Sequence, residues 1–251
     1  MDLSKLTTDG KAMFLAYDHG VEHGPIDLVG KSIDPGFILD IADKAGYNAV
    51  VLQKGVAEKY YVNSQYQNKI PLIVKLNGKT RLVAGEAVSR QVCSVDEAIS
   101  LGAVAVGYTI YLGSEYESEM LEEFGKIEEE AHKKGLVVIG WMYPRGKSVK
   151  DDNSPEIIAY AGRMGLEMGA DIVKIKYCGS EECFRKAVEA AGKTKVVLSG
   201  GAKTKTPEEF LEVVKKIMSA GAIGVAVGRN VWQSNDPIGI SQKIKSIIFA
   251  S

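Results

Sequence analysis

Short apolar runs alternate with longer segments of helical periodicity along the whole chain. Each run is nearly all apolar and is bounded by glycine, proline or polar residues, as expected of strands buried on both faces of a parallel sheet. The runs predict eight strands, over residues 13–17, 49–52, 72–75, 103–107, 137–141, 172–175, 196–198 and 224–227.

The segments between these runs predict eight helices. Ser154 before Pro155 and Thr206 before Pro207 each combine an N-cap residue with a proline at the first helical position. Glycines follow four predicted helix ends and lead into the next strand, at Gly102, Gly135, Gly169 and Gly221. The helices are predicted over residues 35–45, 56–61, 94–101, 118–134, 155–168, 181–191, 207–220 and 237–249.

Eight repeated strand–helix units predict an α/β fold, the (β/α)8 TIM barrel, as a single domain over residues 1–251. An open doubly wound sheet would need a glycine-rich phosphate loop after its first strand, where this chain reads YDHGVEHGP. The closed barrel therefore fits better. Residues 77–92 are additional, and their alternating VSRQV run predicts a small hairpin over one end of the barrel.

Composition narrows the class of protein without changing the fold. The chain has 251 residues, of which 45% are hydrophobic and 25% charged, with a formal net charge of -1. The charge pattern gives no sign of a nucleic-acid or membrane-surface partner. No apolar stretch approaches the roughly 18 residues of a membrane span, and the first residues lack a secretory apolar run. We therefore expect a cytoplasmic protein.

The three cysteines, Cys93, Cys178 and Cys183, form no CxxC pair and accompany no histidine cluster at metal-ligand spacing. We expect neither a structural metal nor a disulfide framework. Cys178 follows a lysine-bearing strand, so a reactive thiol is one interpretation. A small half-buried side chain is favoured, because free cysteines are usually inert in packing.

Polar or glycine-rich segments follow seven of the eight predicted strands at their carboxyl ends, where the active sites of such barrels lie. They are Asp18-His19, Gln53-Lys54, Lys75, Trp141 with Tyr143, Lys174 with Lys176, Ser199-Gly200-Gly201, and Gly228-Arg229.

Lys174 and Lys176 stand on one face of the sixth strand, because residues two apart point the same way. A lysine buried beside a second cation has a lowered pKa and can attack a carbonyl as a neutral amine, which gives a Schiff base. Alternatively, both lysines extend to solvent or pair with carboxylates. The apolar neighbours Ile172, Val173 and Ile175 favour burial. Alternation alone allows either lysine to be the nucleophile.

The last two strand ends predict a phosphate site. Gly200 and Gly201 allow close approach of backbone N–H donors, and Arg229 adds a charged partner. Glycines at such turns are also common for steric reasons alone. Arg145 either binds a second phosphate or ends a loop, and His23 either contacts substrate or lies in a solvent-facing turn.

Proton transfer is expected of Tyr143, Asp18 or His19, which stand where side chains can converge on a bound carbonyl. Asp18 is equally well explained as a turn residue. Tyrosine has an ordinary pKa of about 10, so Tyr143 needs a neighbouring cation, the protonated imine or Lys176, to act as a base near neutrality. Trp141 is expected to form a wall of the pocket.

These residues lie in segments that resemble the archaeal-type class I fructose-1,6-bisphosphate aldolases, the DhnA-like aldolase family. The resemblance covers nearly the whole chain and rests on AYDHGVEHGP, QKGVAEKYY, LIVKLNGKT, VGYTIYLGS, WMYPRGK, ADIVKIKYCG, LSGGAKTKT and AVGRNVWQ. It implies that Lys174, the first lysine of VKIKY, forms the imine with the ketose. Tyr143 is then the principal proton-transfer residue, Asp18 assists it, and Trp141 shapes the pocket.

The resemblance also implies how the substrate ends are held. Ser199-Gly200-Gly201 and Gly228-Arg229 hold the C1 phosphate, and Arg145 contacts the far end of the sugar. The family needs no metal or other cofactor. Its members usually form homo-oligomers, often large rings of pentamers, so a decamer is one expected assembly. A threonine is common where this chain has Cys178.

We therefore expect a phosphorylated sugar substrate, fructose 1,6-bisphosphate, cleaved reversibly to dihydroxyacetone phosphate and glyceraldehyde 3-phosphate, with His23 and Lys176 as further contacts. A 2-amino-3,7-dideoxy-D-threo-hept-6-ulosonate synthase of aromatic amino-acid biosynthesis would use the same lysine and tyrosine, but KLNGKT favours the first reaction. A non-catalytic sugar-phosphate sensor could lose Lys174, which this chain retains. A purely structural barrel would not explain the polar strand ends.

Overall fold

A computed structural model describes residues 1–250, and Ser251 lies outside the described residues. Eight parallel strands close into a barrel in the order in which they follow one another along the chain. This is the (β/α)8 barrel that the apolar pattern predicts. The strands are β1 (Ala12–Tyr17), β2 (Ala49–Gln53), β3 (Leu72–Lys75), β4 (Ala103–Leu112), β5 (Val137–Pro144), β6 (Ile172–Ile175), β7 (Lys195–Ser199) and β8 (Gly224–Val227).

Helices connect the strands. They are α1 (Pro35–Ala45), α2 (Lys54–Val56), α3 (Val95–Ser100), α4 (Glu117–Lys133), α5 (Pro155–Glu167), α6 (Glu181–Ala191), α7 (Pro207–Ser219) and α8 (Pro237–Ile248). As predicted, Ser154 and Thr206 cap α5 and α7 by accepting backbone N–H bonds. The second helix differs from the prediction, because a π-helical turn, Ala57–Tyr61, continues from a very short α2.

Four short helical segments lie at the carboxyl end of the barrel, beyond the eight connecting helices. Gly20–His23, Gly24–Asp27 and Gly30–Ile33 lie between β1 and α1, and Arg229–Trp232 follows β8. These segments place side chains such as Glu22, His23 and Arg229 at the mouth of the barrel.

Strands β4 and β5 run several residues beyond their predicted ends at 107 and 141. Their parallel pairing continues from Tyr108 opposite Gly140 to Leu112 opposite Pro144. The sequence there mixes aromatic, polar and apolar residues, so the end of the apolar run does not mark the end of the strand. This extension supports Tyr143 on regular backbone above the barrel.

The predicted hairpin after β3 is present as a two-residue antiparallel ladder between Asn77–Gly78 and Arg90–Gln91. The buried Asn77 amide donates to the carbonyls of Ser89 and Thr109 and accepts from the N–H of Thr109. These bonds attach the hairpin to β4 at the carboxyl end of the barrel.

Two apolar layers support the strands. One packs between the strands and the surrounding helices, and the other fills the interior of the barrel. The interior layer includes Leu6, Phe14, Ile73, Ile139 and Ile172, all essentially inaccessible to solvent. None of the helices in residues 1–250 is long and apolar enough to cross a membrane.

The expectation that Cys178 is a free cysteine is wrong. Cys178 and Cys183 are disulfide-bonded, with Cα atoms 6.1 Å apart. The chain turns from the end of β6 into the first turn of α6, which brings together two residues five apart in sequence. Spacing alone does not reveal that turn. Cys93 is free and buried.

Candidate active site

A cavity of about 470 Å³ opens at the carboxyl end of the barrel. Its lining includes side chains or backbone from the ends of β1, β3, β5, β6, β7 and β8. All of the sequence-predicted site residues line it: Asp18, His23, Trp141, Tyr143, Arg145, Lys174, Lys176, Ser199, Gly200, Gly201, Gly228 and Arg229.

The structure separates the two lysines that strand alternation leaves equivalent. Lys174 lies within β6, is only 5% exposed and points into the cavity. Burial lowers its pKa, more strongly than the carboxylates of Asp18 and Glu22 raise it. Lys176 follows the end of β6, is about one quarter exposed and pairs with Asp152. Only Lys174 therefore has the environment of a neutral amine.

Asp18 at the end of β1 is buried and ionised. Burial alone would raise the pKa of its carboxyl, but Lys174 when protonated, the nearby imidazole of His19, and Lys75 together hold that pKa well below its usual range. The Nζ of Lys75 lies 3.6 Å from Asp18 Oδ2 and 3.8 Å from Glu22 Oε1. A carboxylate base and a compensating cation thus stand beside the amine.

Trp141 packs between these charged groups and the barrel wall. The Nζ of Lys174 lies 5.1 Å from its ring centroid, and that of Lys75 lies 5.5 Å from it, so both are within cation–π range. Gly107 on β4 makes room for the indole, since a Cβ there would lie 1.8 Å from Trp141 Cζ3. The buried indole Nε1 has no hydrogen-bond partner among residues 1–250, which leaves a donor beside the cavity.

Tyr143 lies two residues beyond Trp141 on β5, and its hydroxyl is 3.1 Å from Ser199 Oγ. Burial raises the pKa of Tyr143, although the Ser199 bond and Lys75 oppose this shift. The nearby cation in the free protein is therefore Lys75. The sequence suggested the protonated imine or Lys176, and the Lys176 ammonium is bonded to Asp152. With a raised pKa, the hydroxyl keeps its proton in the free protein.

The two histidines after β1 have different surroundings. His19 stacks on Trp232 with centroids 5.4 Å apart, and its Nδ1 is 3.9 Å from Asp18 Oδ1. His23 Nδ1 is 2.5 Å from Asp27 Oδ2, which also accepts a bond of 3.2 Å from Arg229. His23 and Arg229 therefore share one carboxylate at the cavity rim, and a bound phosphate would compete with it.

The glycine-rich loop after β7 is held by Asn230. The Asn230 amide donates to the carbonyls of Gly200 and Ala202 and accepts from the N–H of Thr204. Gly201 has φ +67°, in the region that favours glycine. The loops after β7 and β8 thus form one connected rim.

A second recess of about 280 Å³ adjoins the first and is lined by four cationic side chains, Lys79, Arg81, Arg145 and Arg229. The guanidinium of Arg145 lies 5.3 Å from the ring centroid of Tyr111. Within residues 1–250, no group of three or more His, Cys, Asp or Glu side chains is arranged to hold a metal ion.

The sequence prediction of the site omitted Glu22, Asp27 and Asn230 and gave no role to Lys75. Lys75 was visible as a polar strand end, and Asn230 follows Arg229 directly in the VGRN segment. Glu22 and Asp27 reach the site through the short helices after β1, which neither strand ends nor helical periodicity identify.

Comparison with known proteins gives the same assignment. The class 1 fructose-bisphosphate aldolase of Thermoproteus tenax is 52% identical over 242 residues, covering 96% of this chain and 90% of the relative. That of Halobacterium salinarum is 46% identical over 248 residues, covering 98% and 93%.

A solved archaeal fructose-1,6-bisphosphate aldolase, with its catalytic lysine covalently bound to the carbinolamine intermediate of the substrate, is 50% identical. It superposes with a TM-score of 0.94 over 98% of this chain and 97% of its own. Residues 12–234 match the model of the DeoC/LacD family aldolases. The chain therefore belongs to the DeoC/LacD aldolase family, in the branch of the archaeal class 1 fructose-bisphosphate aldolases.

Proposed function

We propose that this chain reversibly cleaves fructose 1,6-bisphosphate to dihydroxyacetone phosphate and glyceraldehyde 3-phosphate through a Schiff base on Lys174. The observation that carries this proposal is the 5% exposed Lys174, whose pKa burial lowers, in a cavity with cations at its rim. The archaeal relatives with this activity, at up to 52% identity, support it over the heptulosonate synthase alternative.

The reaction follows from the state of each group. The neutral Lys174 amine adds to the C2 carbonyl, and the carbinolamine loses water to give a protonated imine. The C4 hydroxyl then gives up its proton as the C3–C4 bond breaks, and the bonding electrons move into the imine to form an enamine. Glyceraldehyde 3-phosphate leaves, C3 takes up a proton, and hydrolysis releases dihydroxyacetone phosphate and free Lys174.

Tyr143 and Asp18 are proposed to move the protons. The hydroxyl of Tyr143 keeps its proton in the free protein, so it can donate to the departing carbinolamine oxygen and accept later, once the cationic imine is present. Asp18 is ionised beside Lys174 and can take a proton or stabilise the imine. Trp141 forms the wall against which the reacting carbons pack.

The substrate ends are proposed to bind at opposite sides of the cavity. Ser199, Gly200 and Gly201 with Gly228 and Arg229 would hold the C1 phosphate, where two loops meet around Asn230. Arg145 would contact the far half of the sugar, and His23 and Lys176 would be further substrate contacts. Substrate binding requires His23, Arg229 and Lys176 to exchange their present carboxylate partners for substrate oxygens.

The assignment of Tyr143 is tested by Tyr143→Phe with Tyr47→Phe as the matched control. Tyr47 is also buried with its hydroxyl bonded to a serine, Ser241 at 2.8 Å, but it does not line the cavity. We expect Tyr143→Phe to lower the cleavage rate by about 10²- to 10⁴-fold and Tyr47→Phe to change it little. Equal rates in wild type and Tyr143→Phe, measured by release of triose phosphates, would reject the role.

We also propose that residues 1–251 act as one domain, in the cytoplasm and as a homo-oligomer. The exposed apolar side chains Ile26, Ile33, Leu82 and Val83 around the barrel mouth support association between subunits. Light scattering of the purified chain measures the mass, and a monomer at micromolar concentration would contradict the proposed assembly.

A further inference from the structure

Four ionisable side chains lie together in the cavity: Lys174, Asp18, Lys75 and Glu22. Lys75 is only 2% exposed, less than Lys174 itself. Its Nζ contacts both carboxylates, at 3.6 Å from Asp18 and 3.8 Å from Glu22. Glu22 in turn accepts a hydrogen bond of 2.9 Å from Tyr111. One ammonium, two carboxylates and the Lys174 amine thus share one largely desolvated space.

An isolated ammonium is costly to bury, and Lys75 is compensated by the two carboxylates that it contacts. The reaction assigns it no proton and no bond. Its position between the two carboxylates has an electrostatic consequence, because those carboxylates favour the protonated form of Lys174. A protonated Lys174 cannot attack a carbonyl.

We propose that Lys75 is a positioning residue that neutralises one of the two carboxylates and so allows Lys174 to lose its proton while Asp18 stays beside it. This inference rests on the proposed function. With Lys75 present, the cluster has a net charge of -1 when Lys174 is neutral and is balanced when the cationic imine has formed. Without Lys75, the neutral amine would stand beside two uncompensated carboxylates.

The charged groups that act on Lys174 come from every element packed around it. Asp18 from β1 and Glu22 from the helix Gly20–His23 favour its charged form, whereas Arg229 after β8 opposes it. Tyr143 of β5 is neutral, and Lys75 comes from β3. Lys75 acts on Lys174 through the two carboxylates that it contacts. Removing only Lys75 leaves both carboxylates to favour protonated Lys174, and removing only Glu22 has the opposite effect.

The test is the pH dependence of borohydride trapping with dihydroxyacetone phosphate, followed on the Lys174 peptide. For Lys75→Met we expect the midpoint to move up by about one pH unit, with roughly tenfold slower trapping near neutrality. Glu22→Gln alone should move it down, and the double variant Lys75→Met/Glu22→Gln should restore it. Lys54→Met removes a lysine paired with Glu97 away from the cavity and should leave the midpoint unchanged.

The outcomes separate this inference from the function on which it rests. Wild-type trapping on Lys174 with an unshifted midpoint in Lys75→Met overturns the role of Lys75 and leaves the aldolase proposal standing. If Lys75→Met does not fold, the Glu22→Gln variant is used instead. An unshifted midpoint of its pH dependence of trapping would equally overturn the role of Lys75. Failure of the wild type to trap at any pH overturns the aldolase proposal, and this inference with it.

Discussion

The two ends of the barrel interior are built from the same strands but have opposite chemistry. On β3, β5 and β6, one inward position is Ile73, Ile139 and Ile172, and the next inward position is Lys75, Trp141 and Lys174. Two residues along a strand, about 7 Å, separate the apolar layer from the charged one. The apolar layer supplies free energy of folding that the charged layer does not. The fold can therefore hold desolvated charges directly above it.

Lys174→Met gives the largest expected effect. It should lower the activity without lowering the stability. Loss of the nucleophile should lower cleavage by at least the order of 10³-fold. Replacing a buried lysine with an apolar side chain of similar length should leave the free energy of unfolding unchanged or raise it. Urea unfolding and triose-phosphate release measure the two quantities. A loss of stability alongside the loss of activity would contradict the claim that the charged layer does not stabilise the fold.

Phe14→Ala tests the apolar layer. Phe14 is 1% exposed in the interior cluster, so its truncation should cost about 3–5 kcal/mol in the free energy of unfolding. The folded fraction should retain its KM, because Phe14 does not line the cavity. Tyr160→Ala is the aromatic control, since Tyr160 is 53% exposed and its truncation should cost no more than about 1 kcal/mol.

The pH dependence of stability sharpens the comparison further. The pKa of Lys174 is lowered from 10.5, so between the folded pKa and 10.5 the unfolded chain binds more protons than the folded one. Stability should therefore rise with pH in that window, by up to about 1.4 kcal/mol per pH unit from this group. The difference in unfolding free energy between Lys174→Met and wild type should narrow as the pH approaches 10.5. A constant difference would mean that Lys174 is not desolvated.

Lys176→Gln should have the smallest effect on stability. Lys176 and its partner Asp152 are 23% and 41% exposed, so their ion pair should contribute less than about 1 kcal/mol to the free energy of unfolding. The same urea unfolding experiment measures it. A cost above about 2 kcal/mol would place Lys176 in the charged interior layer with Lys174.

The sequence predicts most of the barrel because buried strands are read from short apolar runs. The predicted and observed bounds agree for β3, β6 and β8, where polar residues, glycine or proline closely flank the run. The extension of β4 escapes prediction because Gly107 and Thr109 interrupt the apolar run, although the residues beyond are buried and paired with β5.

Prediction of the site is limited by the same physics. Asp18 and Lys174 stand out because charge at the end of an apolar strand is unusual. Glu22 reaches the site only through a short helix, and the Cys178–Cys183 bond forms only because the chain turns into α6. Contacts made by irregular segments depend on backbone directions that periodicity does not encode.

The central claim is that Lys174 forms the covalent bond to the ketose. Borohydride added to the protein with dihydroxyacetone phosphate, followed by peptide mass mapping, tests it directly. The account predicts a reduced adduct on Lys174 that is absent from Lys174→Met. An adduct on Lys176, or no adduct in the wild type, would contradict it.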